Sequence, residues 1–233
     1  MPRARPSNSS YRQTAASDQR SGCLSGFLLP PLAILLVGIL LAFFVKGLNP
    51  TVQTKGSPLQ ETDQAALPTN ISPLFTTEVQ FWAGSIIRWA SAAGVDPNLA
   101  AVVIQIESCG DPRARSRAGA MGLFQVMPYH FSIDENPYNP DTNAMRGLAY
   151  LKRSLEAAGG NSRLALAGYN GGIGVIARAE SSWSSETIRY VHFAAPIFED
   201  AMRGEVTSLM LTEWYNRFGA SLCKQARMQL GIP

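Results

Sequence analysis

The stretch from Val102 to Pro128, VVIQIESCGDPRARSRAGAMGLFQVMP, places a single acid, Glu107, at the end of an apolar run and follows it with glycines, small residues and arginines. A carboxylate at a helix C-terminus faces the partial negative charge of the helix, and apolar neighbours add a desolvation penalty; both raise its pKa. A glutamate that keeps its proton near neutral pH is suited to protonating a leaving oxygen as a general acid. The residues alone leave a second role open, a partly exposed carboxylate paired with Arg113, Arg115 or Arg117. Other chemistries find less support. His130 and His192 are the only histidines and no Cys/His cluster has zinc-ligand spacing, so no metal or other cofactor is expected. Ser108 has no candidate base near it, which argues against a serine hydrolase. No second acid stands out: Asp111 precedes Pro112 in an expected turn, and Asp134 and Glu135 fall in the polar loop SIDENPYNP.

Three blocks occur in order: ES followed by G-x-P-x-A-x-S-x-x-G-A-x-G-L-x-Q-x-M-P, then AGYNGG, then ETIRYV. Together, over roughly Thr77 to Tyr190, they resemble the lytic transglycosylase family related to goose-type lysozyme. The resemblance implies a lysozyme-like, mainly α-helical domain that cleaves the β-1,4 bond between N-acetylmuramic acid and N-acetylglucosamine in peptidoglycan, with Glu107 as the catalytic acid. It also implies that Ser116 places its hydroxyl near the substrate acetamido group. Gln125 and Met127 would line the cleft, Tyr169 and Asn170 would be the YN of the second block, and Tyr190 the tyrosine of the third. Each has a plainer alternative: a turn or cap for Ser116, core filling for Met127, a core aromatic for Tyr169. The chain departs from the family in having Gly168 where an alanine is usual, a change expected to loosen local packing, and in having Cys109, Gly110 and Asp111 after ES.

Most glycosidases use two carboxylates roughly 5 to 9.5 Å apart, but a substrate acetamido group can replace the second. With only Glu107 in view, the expected route is substrate-assisted, with Glu107 acting as acid, then as base on the sugar's C6 hydroxyl, and a 1,6-anhydro ring as product. Hydrolysis as in goose-type lysozyme and a non-catalytic peptidoglycan-binding or assembly protein are the alternatives.

The elements that must hold these residues are read from apolar spacing. Val79, Trp82, Ile86, Ala90 and Ala93 recur at helical intervals until Gly94; DPNLAAVVIQIES opens with Asp96 as cap and Pro97 in the first turn, and its nearly all-apolar body predicts a central buried helix. Met145, Leu148, Leu151 and Leu155 predict a third helical stripe, Ile188, Val191, Ala195, Phe198 and Met202 a fourth, and Leu211, Trp214, Phe218 and Leu222 a last helix. No strand-like alternation of useful length appears, so the fold class is mainly α.

Residues Leu24 to Val45 form an uncharged apolar run long enough to cross a bilayer core of roughly 30 Å. Arg3, Arg5, Arg12 and Arg20 precede it against Asp18 alone, which predicts a cytoplasmic N-terminus. Because FFVKGLNP offers no A-x-A-like cleavage site, the run reads as an uncleaved signal anchor in the cell membrane. The expected organisation is a basic cytoplasmic tail (1–22), a single transmembrane helix (23–46), a Pro/Thr/Ser/Gln-rich flexible linker (47–76) and an extracytoplasmic catalytic domain (77–233). The partners expected are peptidoglycan strands and, through the helix, the lipid bilayer. From Thr77 onward 14 basic residues balance 14 acidic ones, which gives no footprint for nucleic acid. Cys23 falls at the cytoplasmic edge, whereas Cys109 and Cys223 share the oxidising side, where either a disulfide or two buried thiols would satisfy the sequence.

Overall fold

Apolar periodicity and capping residues set the helices of the described part of the chain, residues 70–233 of a computed structural model. They are α1 (Thr77–Gln80), α2 (Ala83–Ala93), α3 (Pro97–Glu107), α4 (Pro140–Ala157), α5 (Ser162–Gly171), α6 (Ser185–Met202), α7 (Leu209–Trp214) and α8 (Ala220–Leu230). Among the described residues there are isolated bridges, Arg115 with Met121 and Met121 with Val126, but no strand, as the mainly α reading requires. The predicted tail, the predicted span with Cys23, and the linker up to residue 69 lie outside the described residues. No helix among those described is long and apolar enough to cross a membrane.

Helix α3 starts and stops as its sequence dictates. The Asp96 carboxylate accepts the Asn98 N–H, Pro97 occupies the first turn, and Ser108 caps the end. Leu99 through Ile104 are buried all round, because α3 packs against α2 on one side and α6 on the other. At roughly 1.5–3 kcal/mol for each large aliphatic side chain, this burial anchors the helix and therefore its terminal residue, Glu107. Helix α5 packs between α4 and α6 and carries the AGYNGG block.

Four expectations need correction. Residues 70–76, assigned by composition to the linker, belong to the fold: Ile71, Leu74 and Phe75 are in the core, the Ser72 N–H bonds Asn98 Oδ1 at 2.7 Å, and the Thr76 N–H bonds Gln105 Oε1 at 3.1 Å. The first stripe is not one helix but two, broken after Gln80. In α6 the buried face includes Tyr190, Val191, Ala194, Ala195, Ile197 and Ala201, while Ile188 and Met202 are exposed. The last helix is interrupted by a π-helical turn, Tyr215–Gly219, whose extra residue shifts the helical register and turns Phe218 out of the core.

Two long-range ties lock the C-terminal helix to this frame. A disulfide joins Cys109 to Cys223 in α8, with Cα atoms 5.0 Å apart. The buried Glu78 carboxylate accepts both Nε (2.9 Å) and Nη2 (2.6 Å) of Arg227. Both ties converge on the loop that follows Glu107.

Candidate active site

The backbone after α3 leaves the helix through two left-handed residues, Cys109 (φ 50°) and Gly110 (φ 88°). A side chain at Gly110 would collide with the Glu78 carbonyl oxygen at 2.7 Å, so glycine is required there. Cys109 adopts a conformation unfavourable for a residue with a Cβ, and its bond to Cys223 holds it in place. The Ser108 hydroxyl donates to the Leu123 carbonyl at 2.7 Å, tying the loop to GLFQ and leaving this serine in a structural role. Asp111 is fully buried, taking the Arg113 N–H and the Gln225 amide, so it too is committed to structure.

Glu107 lines a pocket of about 230 Å³ together with polar Asn170, Glu186, Arg189 and Tyr190 and apolar Ile106, Phe193, Trp214 and Phe218. The residue keeps a partial solvent contact, but the protein around its carboxyl pushes the pKa up to about 8. Desolvation is the main cause; the negative charge of Glu186 adds to it, and the nearby Tyr190 hydroxyl acts in the opposite sense. That hydroxyl is a buried polar atom that makes no hydrogen bond. It stands beside Glu107, close enough to favour the charged carboxylate, yet outside bonding geometry, so a small movement or a ligand oxygen would complete the pair. The burial and the nearby Glu107 charge push the Tyr190 and Tyr169 phenols well above their ordinary range, so both stay protonated.

A second pocket, about 260 Å³, continues from the first across Asn170, which lines both. It is bounded by Gln125, Met127, Tyr129, His130, Tyr150 and Tyr169. The Tyr169 hydroxyl donates to the Phe124 carbonyl at 2.6 Å, and Asn170 Oδ1 accepts the Thr187 hydroxyl at 3.0 Å, which fixes both side chains. Gln125 is itself left-handed (φ 46°), and its amide donates to the Ala114 and Gly122 carbonyls; it lines the cleft but spends its donors on the loop.

Of the residues singled out in the sequence, Glu107, Gln125, Met127, Tyr169, Asn170 and Tyr190 gather around this two-part cleft. Ser116 does not: its hydroxyl accepts the Ala120 N–H at 3.0 Å within the bridged loop, and it lines neither pocket. Glu186, Arg189, Phe193, Trp214 and Phe218 were not anticipated. Glu186 lay inside a recognised block, ETIRYV, and an acid four residues before a site tyrosine on one helix was the available signal. Asn143 of α4 is a further unforeseen support: its Oδ1 accepts the Phe124 N–H and its amide donates to the Met121 and Pro137 carbonyls, pinning the GLFQ segment. Gly168 does not loosen the packing. An alanine methyl there would run into Ser154 Oγ and come within 2.6 Å of Ile176 Cδ1, so the neighbours have filled the space that an alanine would occupy.

The arrangement is a helical domain with one desolvated, proton-holding glutamate in one part of a two-part, aromatic-lined cleft. Residues 84–191 match the family model described as the transglycosylase SLT domain. The chain is 37% identical over 115 residues to a transglycosylase of Enterobacteria phage PRD1, covering 48% of this chain and 40% of that one. It is 29% identical over 143 residues to the soluble lytic murein transglycosylase of Escherichia coli strain K12, covering 56% of this chain and 22% of the relative. A solved structure of an inactive mutant of the lytic transglycosylase Slt from Pseudomonas aeruginosa overlaps at a TM-score of 0.43 with 24% identity, over 53% of this chain and 25% of that one. The chain thus spans less than half the length of these curated relatives.

Proposed function

We propose that the protein is a membrane-anchored peptidoglycan lytic transglycosylase that cuts the bond between N-acetylmuramic acid and N-acetylglucosamine. The observation that carries this reading is Glu107, whose pKa of about 8 keeps its carboxyl protonated at neutral pH in a two-part cleft. In the proposed reaction its proton passes to the glycosidic oxygen as the C1–O4 bond breaks, and the substrate's own acetamido oxygen stabilises the positive C1. Glu107, now ionised, takes the C6 hydroxyl proton while O6 bonds to C1, closing the 1,6-anhydro ring without consuming water. In this reading the Tyr190 hydroxyl stabilises the transient carboxylate and Asn170 orients the sugar; the support is that Tyr190 shares the Glu107 pocket and Asn170 lines both pockets. The apolar run Leu24–Val45 supports an anchor that holds this domain outside the membrane.

One observation favours a hydrolytic lysozyme as the second reading: Glu186 shares the Glu107 pocket and supplies a second carboxylate that could hold an attacking water. Incubation of the full-length protein with purified peptidoglycan and mass spectrometry of the released fragments separates them. Anhydro ends are expected, reducing ends would favour hydrolysis, and no release would favour a binding protein. Glu107→Gln should abolish release; an active variant would refute the assignment.

A further inference from the structure

Helix α8 brings little apolar surface into the core: Cys223 and Ala226 are its only buried residues. At about 0.8 kcal/mol per buried methylene, so small a contact anchors a helix weakly, and its position depends on cross-links. Three residues at alternate positions supply them. Cys223 is bonded to Cys109, the Gln225 amide donates to Asp111 Oδ2 at 2.7 Å, and Arg227 binds the Glu78 carboxylate. Glu78 belongs to the same cluster, since its carbonyl oxygen fills the space beside Gly110. The other end of α8 reaches the Glu107 pocket. It begins at the π-helical turn, where a Cβ on Gly219 would lie 2.4 Å from the Trp214 ring, and Trp214 and Phe218 both line that pocket. Phe218 in turn meets Phe193 edge-on, with ring centroids 5.7 Å apart. These C-terminal elements fall beyond residue 191, where the family match ends, and Cys109 is one of the departures after ES.

We propose that the Cys109–Cys223 bond, assisted by Gln225, is a positioning device for catalysis: it holds the Glu107 loop and the Trp214–Phe218 wall together, so the enzyme becomes competent only when the two thiols are oxidised. The inference rests on the glycan-cleaving reading above and adds a condition under which that site works. Without the bond, Cys109 loses the covalent restraint on a left-handed backbone (φ 50°) that a residue with a Cβ disfavours. Helix α8 then keeps only its side-chain bonds, and any shift of it carries the π-helical turn and both aromatic residues along. Misplacement of a reacting group by about 1 Å can cost about a hundredfold in rate. Bond formation joins the two Sγ atoms as two protons and two electrons leave; a disulfide oxidant takes the electrons and is released as two thiols. Both cysteines are fully buried, so a reductant does not reach them in the folded protein, and the state of the bond is set as the chain folds in its compartment.

The test compares three forms of the full-length protein in detergent: the oxidised wild type, the wild type refolded from urea under a dithiol reductant, and the double variant Cys109→Ala/Cys223→Ala. Circular dichroism and tryptophan fluorescence give the folded fraction of each at every pH, and activity on purified peptidoglycan is expressed per folded molecule. Both bond-free forms should lose kcat by about ten- to hundredfold. The alkaline limb of kcat should move down by about one pH unit, as water reaches a carboxyl whose proton affinity comes from desolvation. The charged and titratable groups facing Glu107 are Glu186, Arg189 and Tyr190 of α6 and Tyr169 of α5; none is on α8, so the shift reports water and not a lost charge. Oxidised glutathione should restore the reduced wild type and not the double variant. Met228→Ser, at an exposed position on α8, should change neither readout. Folded, bond-free protein with kcat within about twofold of the oxidised form overturns the proposal. If both bond-free forms unfold, Gln225→Ala, which keeps the bond, decides: a kcat about threefold lower with the limb shifted in the same direction supports the device, and unchanged values overturn it. If the oxidised wild type cleaves nothing, the glycan-cleaving reading fails separately. NMR titration of an isotope-labelled Glu107 carboxyl then still decides the positioning: a lower pKa in the bond-free protein, or in Gln225→Ala, supports it, and equal values overturn it.

Discussion

If Glu107 is held protonated by the fold, the fold must lose stability as pH rises, and Glu107→Gln should remove that loss. In the unfolded chain the carboxyl titrates at its ordinary value, 4.5; in the folded protein it titrates at about 8. Below pH 4.5 both states are protonated and the group costs nothing. As pH passes 4.5 the unfolded chain releases its proton while the folded chain retains it, so stability declines until about pH 8 and then levels. At about 1.4 kcal/mol per pH unit the decline has a ceiling of about 5 kcal/mol. Because Glu107 keeps partial solvent contact, water entering the cleft should reduce this to about 2–3 kcal/mol, still a large share of a typical 5–15 kcal/mol. The assay is urea unfolding of the full-length wild type and Glu107→Gln at pH 4, 7 and 9, followed by tryptophan fluorescence. All four tryptophans, Trp82, Trp89, Trp183 and Trp214, lie in the described domain and report on it alone. The difference between variant and wild type cancels the contribution of other groups, including Asp96, whose pKa burial also raises. It should grow in favour of the variant by about 2–3 kcal/mol from pH 4 to pH 9. A difference constant to within about 0.5 kcal/mol would refute the claim that the fold desolvates Glu107.

The neighbours of Glu107 should move the alkaline limb of activity in opposite directions: Glu186→Gln removes a like charge and shifts it to lower pH, while Tyr190→Phe removes a group that favours the carboxylate and shifts it higher, with a lower kcat. Reduction of the Cys109–Cys223 bridge, or replacement of both cysteines by serine, should lower stability by about 2–5 kcal/mol in urea unfolding, because the bond closes a loop with a sequence separation of 114. Thiol labelling of the unreduced protein should modify neither cysteine. Gly168→Ala should lower the urea midpoint, by about 1–3 kcal/mol of overpacking against Ser154 and Ile176, although alanine is the better helix former.

The amino-acid sequence alone determined what depends on short-range interactions. Asp96 and Pro97 start α3, the apolar body buries it, and Glu107 is thereby the residue placed at its end; the αL glycine Gly94 ends α2, and Asn139 with Pro140 starts α4. These signals act within a turn or two of the residues that carry them, so reading along the chain recovers them. Only the tertiary structure decided what stands opposite Glu107. Glu186 and Tyr190 reach it because α6 packs on α3, and Phe218 joins them because a π-helical turn rotates it out of the core. The same packing closed the Cys109–Cys223 bond and filled the space beside Gly168. Each of these outcomes depends on distances between segments far apart in the chain, which are set by how helices fit together and leave no local pattern. The proton affinity of Glu107 unites the two: its position was local, but the desolvation that makes it an acid at neutral pH is contributed by the residues folded around it.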